Sequence, residues 1–400
     1  MTPATLTRET DHQVTSREPP PNSGWSMGSI MVAILVPGLG VLAGLMIWAA
    51  GQPPRSPAAP VVPPALARGA ASATGAAAMA DMPGMKSMSS TKTTAVPSTT
   101  AVAPVAAASA IASHAPRDAT LPPVGPGTIH HYTITLKDEV LDIAPGVRFT
   151  GWTFEGSAPG PVIHVRQGDM VDITLVNGGA IPHSIDFHAA LTAPNVSFAS
   201  VPAGGRLHFR FRADTPGAFM YHCGTPPVLA HIANGMYGAI IVDPKGGLPP
   251  VAKSVVLVSG EWYLTGDGRT TPATLDFDKA RAMQPDYVTF NGYAGQYKDN
   301  PLTANPGDTL RFYVVDAGPS LNTDFHVVGA ILDRVYLDGT TTDVLHGVQT
   351  QLVPPGGGMV FDVKFSNRGI FPFVSHSFAA VDMGEVGLVN VGNVPGTMSH

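Results

Sequence analysis

The chain has 400 residues, 44% of them hydrophobic and only 13% charged, with 44 Gly, 39 Pro, one Cys and a formal net charge of -6. That length allows two ordinary domains plus extra segments, and the Gly and Pro content with few charges favours short strands and many turns, an all-β chain. The negative balance, with no Lys/Arg run, excludes a nucleic-acid footprint, and the single cysteine excludes an internal disulfide framework, leaving the thiol buried and inert or engaged with a metal.

Residues 1–28 form a polar tail in which Arg8 and Arg17 are balanced by Glu9, Asp11 and Glu18. SIMVAILVPGLGVLAGLMIWAA, residues 29–50, is an uncharged apolar run of about the length a bilayer-spanning helix needs. A cleaved signal peptide is the alternative, but the polar lead is long for one, and only a poor small-residue cleavage site occurs around Ala49 to Gly51. The expectation is an uncleaved single-pass anchor in the cell membrane, with the rest of the chain extracytoplasmic, either periplasmic or extracellular. Residues 51–127 are Ala, Pro, Ser and Thr with almost no aromatics, a composition that predicts a disordered linker. Within it, Met79, Met82, Met85 and Met88 recur at every third position. Thioether sulfur suits Cu(I), and low-complexity drift explains the run equally well.

From Thr128 to about Asn393 the chain becomes short β-type runs between Gly/Pro/Asn/Asp turns. VRQGDMVDITLVNGGAIPHSIDFH (165–188) is echoed by ANPGDTLRFYVVDAGPSLNTDFH (304–326), and VPAGGRLHFRFRADTPGAFMYHC (201–223) by VPPGGGMVFDVKFSNRGIFPFVSHS (353–377). Two copies of one β-domain are predicted, at 128–246 and 252–393, each a Greek-key sandwich or barrel of roughly eight strands.

The only cysteine sits in FMYHCGTPPVLAHIANGMYG, residues 219–238. Cys223, His231 and Met236 place a thiolate, an imidazole and a thioether on one tight loop between two strands. With His183 from IPHSIDFH they make the His₂Cys set with an axial Met that marks blue-copper electron-transfer sites. In the second copy the VPxGG turns carry Cys223 onto Ser375, and the DFH segments carry His183 onto Leu321, so that site is lost. Strand alternation points His188 away from His183 and His222 away from Cys223. His188 and His222 then face a different metal, for which His376 offers a third ligand with a position left open for substrate.

These segments resemble the copper-containing nitrite reductases from about Tyr132 to Val391, most closely in HSIDFH, YHC, HIANGMYG, LDFDKARAMQPDYVTFNG, DFHVVG and VSHS. The resemblance implies two tandem cupredoxin-like domains, with type 1 copper on His183, Cys223, His231 and Met236 and type 2 copper on His188, His222 and His376, one of each per subunit. It implies that Asp186 and His326 are the acid/base pair above the type 2 copper, and that nitrite is reduced to nitric oxide. It also implies a homotrimer in which His376 comes from the neighbouring subunit, and a small redox protein, a cupredoxin or a cytochrome c, as electron donor. Val328 stands where the family usually has isoleucine over the substrate pocket. AALTAPNVSFAS after His188 lacks the family's glycine-rich run, and GYAGQYKDNP departs from its pattern; neither removes a ligand.

A laccase-type oxidase needs paired HxH and HCH segments, and here Gly224 stands where the HCH histidine would be. An anchored electron carrier using only the type 1 site is the non-catalytic alternative; it leaves His188, His222, His376, Asp186 and His326 unexplained as a set. His130, His131, His164, His208 and His346 read as surface or structural residues.

Overall fold

Alternating burial along VRFTGWTF (Val147–Phe154), with Val147, Phe149, Gly151 and Thr153 inside, is the period-two signature of a strand with one face on a core. The computed structural model describes residues 114–396, and strands dominate them. Eight build a first sandwich: β1 (Ile129–Ala144), β2 (Val147–Phe154), β3 (Ile163–Arg166), β4 (Met170–Asn177), β5 (Asp186–Phe187), β6 (Arg206–Arg212), β7 (Gly217–His222) and β8 (Tyr237–Asp243). One sheet runs β2-β1-β4-β6 and the other β3-β8-β7-β5. Leu136, Phe154, Ile173, Leu175, Phe187 and Tyr221 fill the space between them.

The second sandwich continues with β9 (Lys253–Trp262), β10 (Leu264–Thr265), β11 (Thr274–Leu275), β12 (Tyr287–Phe290), β13 (Asn300–Ala304), β14 (Thr309–Asp316) and β15 (Thr323–Val327). It ends with β16 (Leu332–Leu337), β17 (Val344–Val348), β18 (Thr350–Val353), β19 (Gly358–Lys364), β20 (Gly369–Ser375) and β21 (Val386–Val391). Its sheets run β12-β9-β14-β19-β16-β17 and β13-β21-β20-β15-β18. The strand orders of the two sandwiches correspond: β1 pairs parallel with β4 as β9 does with β14, and β3 with β8 as β13 does with β21. The second sandwich exceeds the roughly eight strands expected because of β16–β18 and the separate β10–β11 pair.

β7 serves two cores. Tyr221 faces the first sandwich's interior, while Ala218 and Met220 join Tyr237 and Ile241 against Val256, Val258, Tyr313 and Val315 of the second. Burial on both faces explains why AFMY carries no polar alternation.

One boundary differs from expectation. Residues 114–127, assigned to the linker by composition, are already seated: Thr120 bridges Val255, and Ala119 lies in the second core. The half-buried Arg117 donates to the carbonyls of Pro159 and Gly160, and its backbone N–H donates to Gln296. Single anchoring residues of this kind leave no compositional trace. The segments 29–50 and 79–88 lie outside the described residues; among those described, no helix is long and apolar enough to cross a membrane.

Candidate metal centres

A strand end, a bridge and a short helix converge on the cysteine. Cys223 follows β7 directly, His183 pairs with Val201 in an isolated bridge, and His231 rides the helix Val228–Ala233. The ligand atoms of His183, Cys223 and His231 lie within 4.8 Å of one another, and all three residues are buried. Sγ of Cys223 is 4.0 Å from Nδ1 of His183 and accepts from the Ser184 amide at 3.3 Å. Met236 is fully buried in the same core cluster, and its carbonyl accepts from the Cys223 amide at 3.1 Å. Trp152 packs on both imidazoles, with ring centroids 5.5 Å from His183 and 4.9 Å from His231.

Burial holds both rings neutral. It pushes His183 down to about 4, helped by the neighbouring His231, and lowers His231 as well. Nε2 of His231 is buried with no hydrogen-bond partner. Neutral imidazoles with a spare donor atom beside a thiol fit a copper ion of the His₂Cys type.

The second pair of histidines is arranged differently. His188 follows β5, and His222 ends β7, where it pairs with Asp186. Nδ1 of His188 donates to the Gly356 carbonyl at 2.9 Å, and Nδ1 of His222 to the Cys223 carbonyl at 3.0 Å. With both δ nitrogens so engaged, the two Nε2 atoms face each other at 3.1 Å as lone-pair bearers. A cation between them resolves that opposition, and the carbonyl partners are the outer-shell bonds that orient metal-binding histidines. Burial lowers the pKa of His222, with the charge of His188 a smaller cause in the same direction.

His326 and His376 form a separate pair, with ring centroids 5.2 Å apart. His326, on β15, donates through Nδ1 to the Gln349 carbonyl at 2.6 Å and lies 3.3 Å from the Thr350 hydroxyl. His376 follows β20, is exposed, and donates its backbone N–H to the Asp324 carbonyl at 2.7 Å. Val328 and Phe378 near them are 40% and 56% exposed. Among the described residues the only grouping of three or more such donors is His183, Cys223 and His231. One chain thus joins His188 to His222 and His326 to His376, without bringing His376 to the first pair.

Sequence reasoning missed Ser184, Trp152 and the Gly356 carbonyl. The one available signal was the repeated VPxGG turn, which brings Gly356 to His188. His183 is buried and His188 exposed, and of that segment only Asp186–Phe187 is strand.

A family model described as multicopper oxidase matches residues 122–247. A copper-containing nitrite reductase of Neisseria meningitidis serogroup B is 39% identical over 294 residues, spanning 70% of this chain and 74% of the relative. Among solved structures, a copper nitrite reductase from Nitrosomonas europaea superposes with a TM-score of 0.62 at 33% identity, covering 66% of this chain and 94% of its own. A copper-containing nitrite reductase from Thermus scotoductus SA-01 gives 0.61 at 30% identity, covering 68% of this chain and 64% of its own. With its two β-sandwiches and its buried cysteine and histidines, the chain belongs to the copper-containing nitrite reductase family, a family of oxidoreductases.

Proposed function

We propose that the chain reduces nitrite to nitric oxide, with one type 1 copper per subunit on His183, Cys223, His231 and Met236 and one type 2 copper on His188, His222 and His376. The observation that carries this reading is the opposed Nε2 pair of His188 and His222, one peptide bond from the buried Cys223 cluster. Copper held by the first set would supply single electrons, and copper held by the second would supply Lewis-acid chemistry toward nitrite. Adjacent residues link the two sites through the chain itself, Cys223 serving the first and His222 the second.

Nitrite plus one electron and two protons gives nitric oxide and water, so the pocket needs two proton donors. Two residues are suited to hold them: Asp186, close to His188 and paired with His222 across the sheet, and His326, oriented by the Gln349 carbonyl on its Nδ1. Val328 lines the pocket on the side of His326. The complete type 2 site forms between subunits of a homotrimer, the His188/His222 pair of one meeting the His326/His376 pair of the next. A small redox protein, a cupredoxin or a cytochrome c, delivers electrons at the type 1 end. Residues 29–50 anchor the protein with its sandwiches on the extracytoplasmic side.

The test is anaerobic nitric oxide release from nitrite by the copper-loaded protein with a reduced dye, beside His376→Ala. Release by the parent and its loss in the variant, with the blue absorption intact in both, supports the reading. A blue, reducible parent that releases no nitric oxide overturns it in favour of an electron carrier using the type 1 site alone.

A further inference from the structure

The second sandwich keeps the frame of the type 1 site with different chemistry in it. Gly235 and Met236 immediately precede β8; Gly384 and Glu385 immediately precede β21, and both glycines have positive φ. The Cys223 amide donates to the Met236 carbonyl at 3.1 Å, and the Ser375 amide donates to the Glu385 carbonyl at 3.4 Å. Glu385 thus stands where the first sandwich carries methionine, and Ser375 where it carries cysteine.

The Glu385 carboxyl is fully buried and tied to two strands. Oε1 accepts from the Ser259 hydroxyl of β9 at 2.5 Å and from the Thr323 hydroxyl of β15 at 2.8 Å. The Ser375 hydroxyl at the end of β20 lies beside it and accepts from the Asp324 amide at 3.0 Å. β15 carries His326, and β20 runs directly into His376. We propose that Glu385 is a positioning residue for the type 2 site: its buried carboxyl holds β15 while its backbone carbonyl holds the end of β20, and together they fix His326 and His376 for the partner subunit. This rests on the metal role proposed for His376.

The surroundings favour the protonated form of that carboxyl. Burial pushes it up to about 7, and the nearby Glu261 of β9 adds to the rise. Asp316 of β14 is itself raised well above the carboxylate range, by burial and by the charges of Glu385 and Glu261. Glu261 is raised by burial and accepts from the Tyr263 hydroxyl and the amides of Ser320 and Leu321. No cation faces Glu385 among the groups that set its pKa. Oε2 has no hydrogen-bond partner, which leaves it free to carry the proton.

The experiment compares Glu385→Met, which keeps volume and removes the hydrogen bonds, with Glu385→Gln, which stays neutral and keeps an acceptor. In the copper-loaded protein at pH 6.5, type 2 copper is read by its electron paramagnetic resonance signal against the type 1 blue absorption, before and after a chelator. Glu385→Met should retain about tenfold less type 2 copper with the blue absorption unchanged and kcat lowered in step, and Glu385→Gln should restore both. If Glu385→Met fails to fold, Thr323→Val removes the β15 bond alone and should shift the copper ratio the same way. A parent-like ratio in Glu385→Met, or a loss that Glu385→Gln does not rescue, overturns the proposal. A parent that holds type 2 copper but releases no nitric oxide would sink the nitrite reading while leaving the copper ratios to decide Glu385.

Discussion

Asp186 and His326 carry the protons of the proposed reaction, and each can be removed without touching a metal ligand. Asp186→Asn keeps the shape and the pairing of β5 with β7 but cannot donate from a carboxyl. It should lower kcat for nitrite by about 10²-fold, the usual scale for a positioned acid, with the blue absorption unchanged; an unaltered rate would reduce Asp186 to a neighbour that orients His188. Glu385 gives a residue-scale test of stability. Its folded-state pKa of about 7 lies above the ordinary 4.5, so its contribution is fully present below about pH 4.5 and is lost as pH rises through about 7. The difference amounts to about 3 kcal/mol. The thermal midpoint of the parent should therefore fall relative to that of Glu385→Gln between pH 5 and 7.5, and parallel curves would contradict the raised pKa. The candidate ligand residues stood out in the sequence because Cys, His and Met at those spacings are chemically unusual. Glu385 was not, since one glutamate ahead of a valine-rich strand looks like a surface residue until Ser259 and Thr323 close over it.

At the scale of elements, the alternation of short apolar runs exposed most strands, and the matching turns ahead of β6 and β19 exposed the correspondence between the two halves. The contact between sandwiches was not legible, because a strand buried on both faces loses its period-two pattern. One tight point is Gly358 at the start of β19, where a Cβ would run into the Ala218 carbonyl of β7. Gly358→Ala forces two backbones apart inside a packed interface and should cost about 1–3 kcal/mol. Gly246→Ala, where a Cβ meets nothing within 4 Å, should stay within about 0.5 kcal/mol of the parent. Chemical denaturation of both variants checks this, and equal stabilities would mean that the two sheets slide freely at that point. The strap at residues 114–127 escaped the sequence reading for a related reason: Arg117 is held by backbone carbonyls, which have no residue signature.

For the whole molecule, the separation of the histidines into two pairs has a consequence that assembly alone can reveal. A chain with His376→Ala keeps the His188/His222 pair, and a chain with His222→Ala keeps the His326/His376 pair. Neither forms a complete type 2 site with copies of itself. If the site lies between subunits, co-expressing the two chains creates complete sites wherever the first chain's β7 end meets the second chain's β20 end. Random mixing of equal amounts in a closed head-to-tail ring makes that junction one in four, so nitrite reduction should recover to about a quarter of the parent rate. The residues proposed for type 1 copper are unchanged in both chains, so blue absorption should stay at the parent level and normalise the measurement. If His376 instead reached its own chain's His188 and His222, every site in the mixture would lack one ligand and no activity would return. Recovery near one quarter would place the reaction at the junction of two subunits, where the two pairs of histidines meet only through assembly.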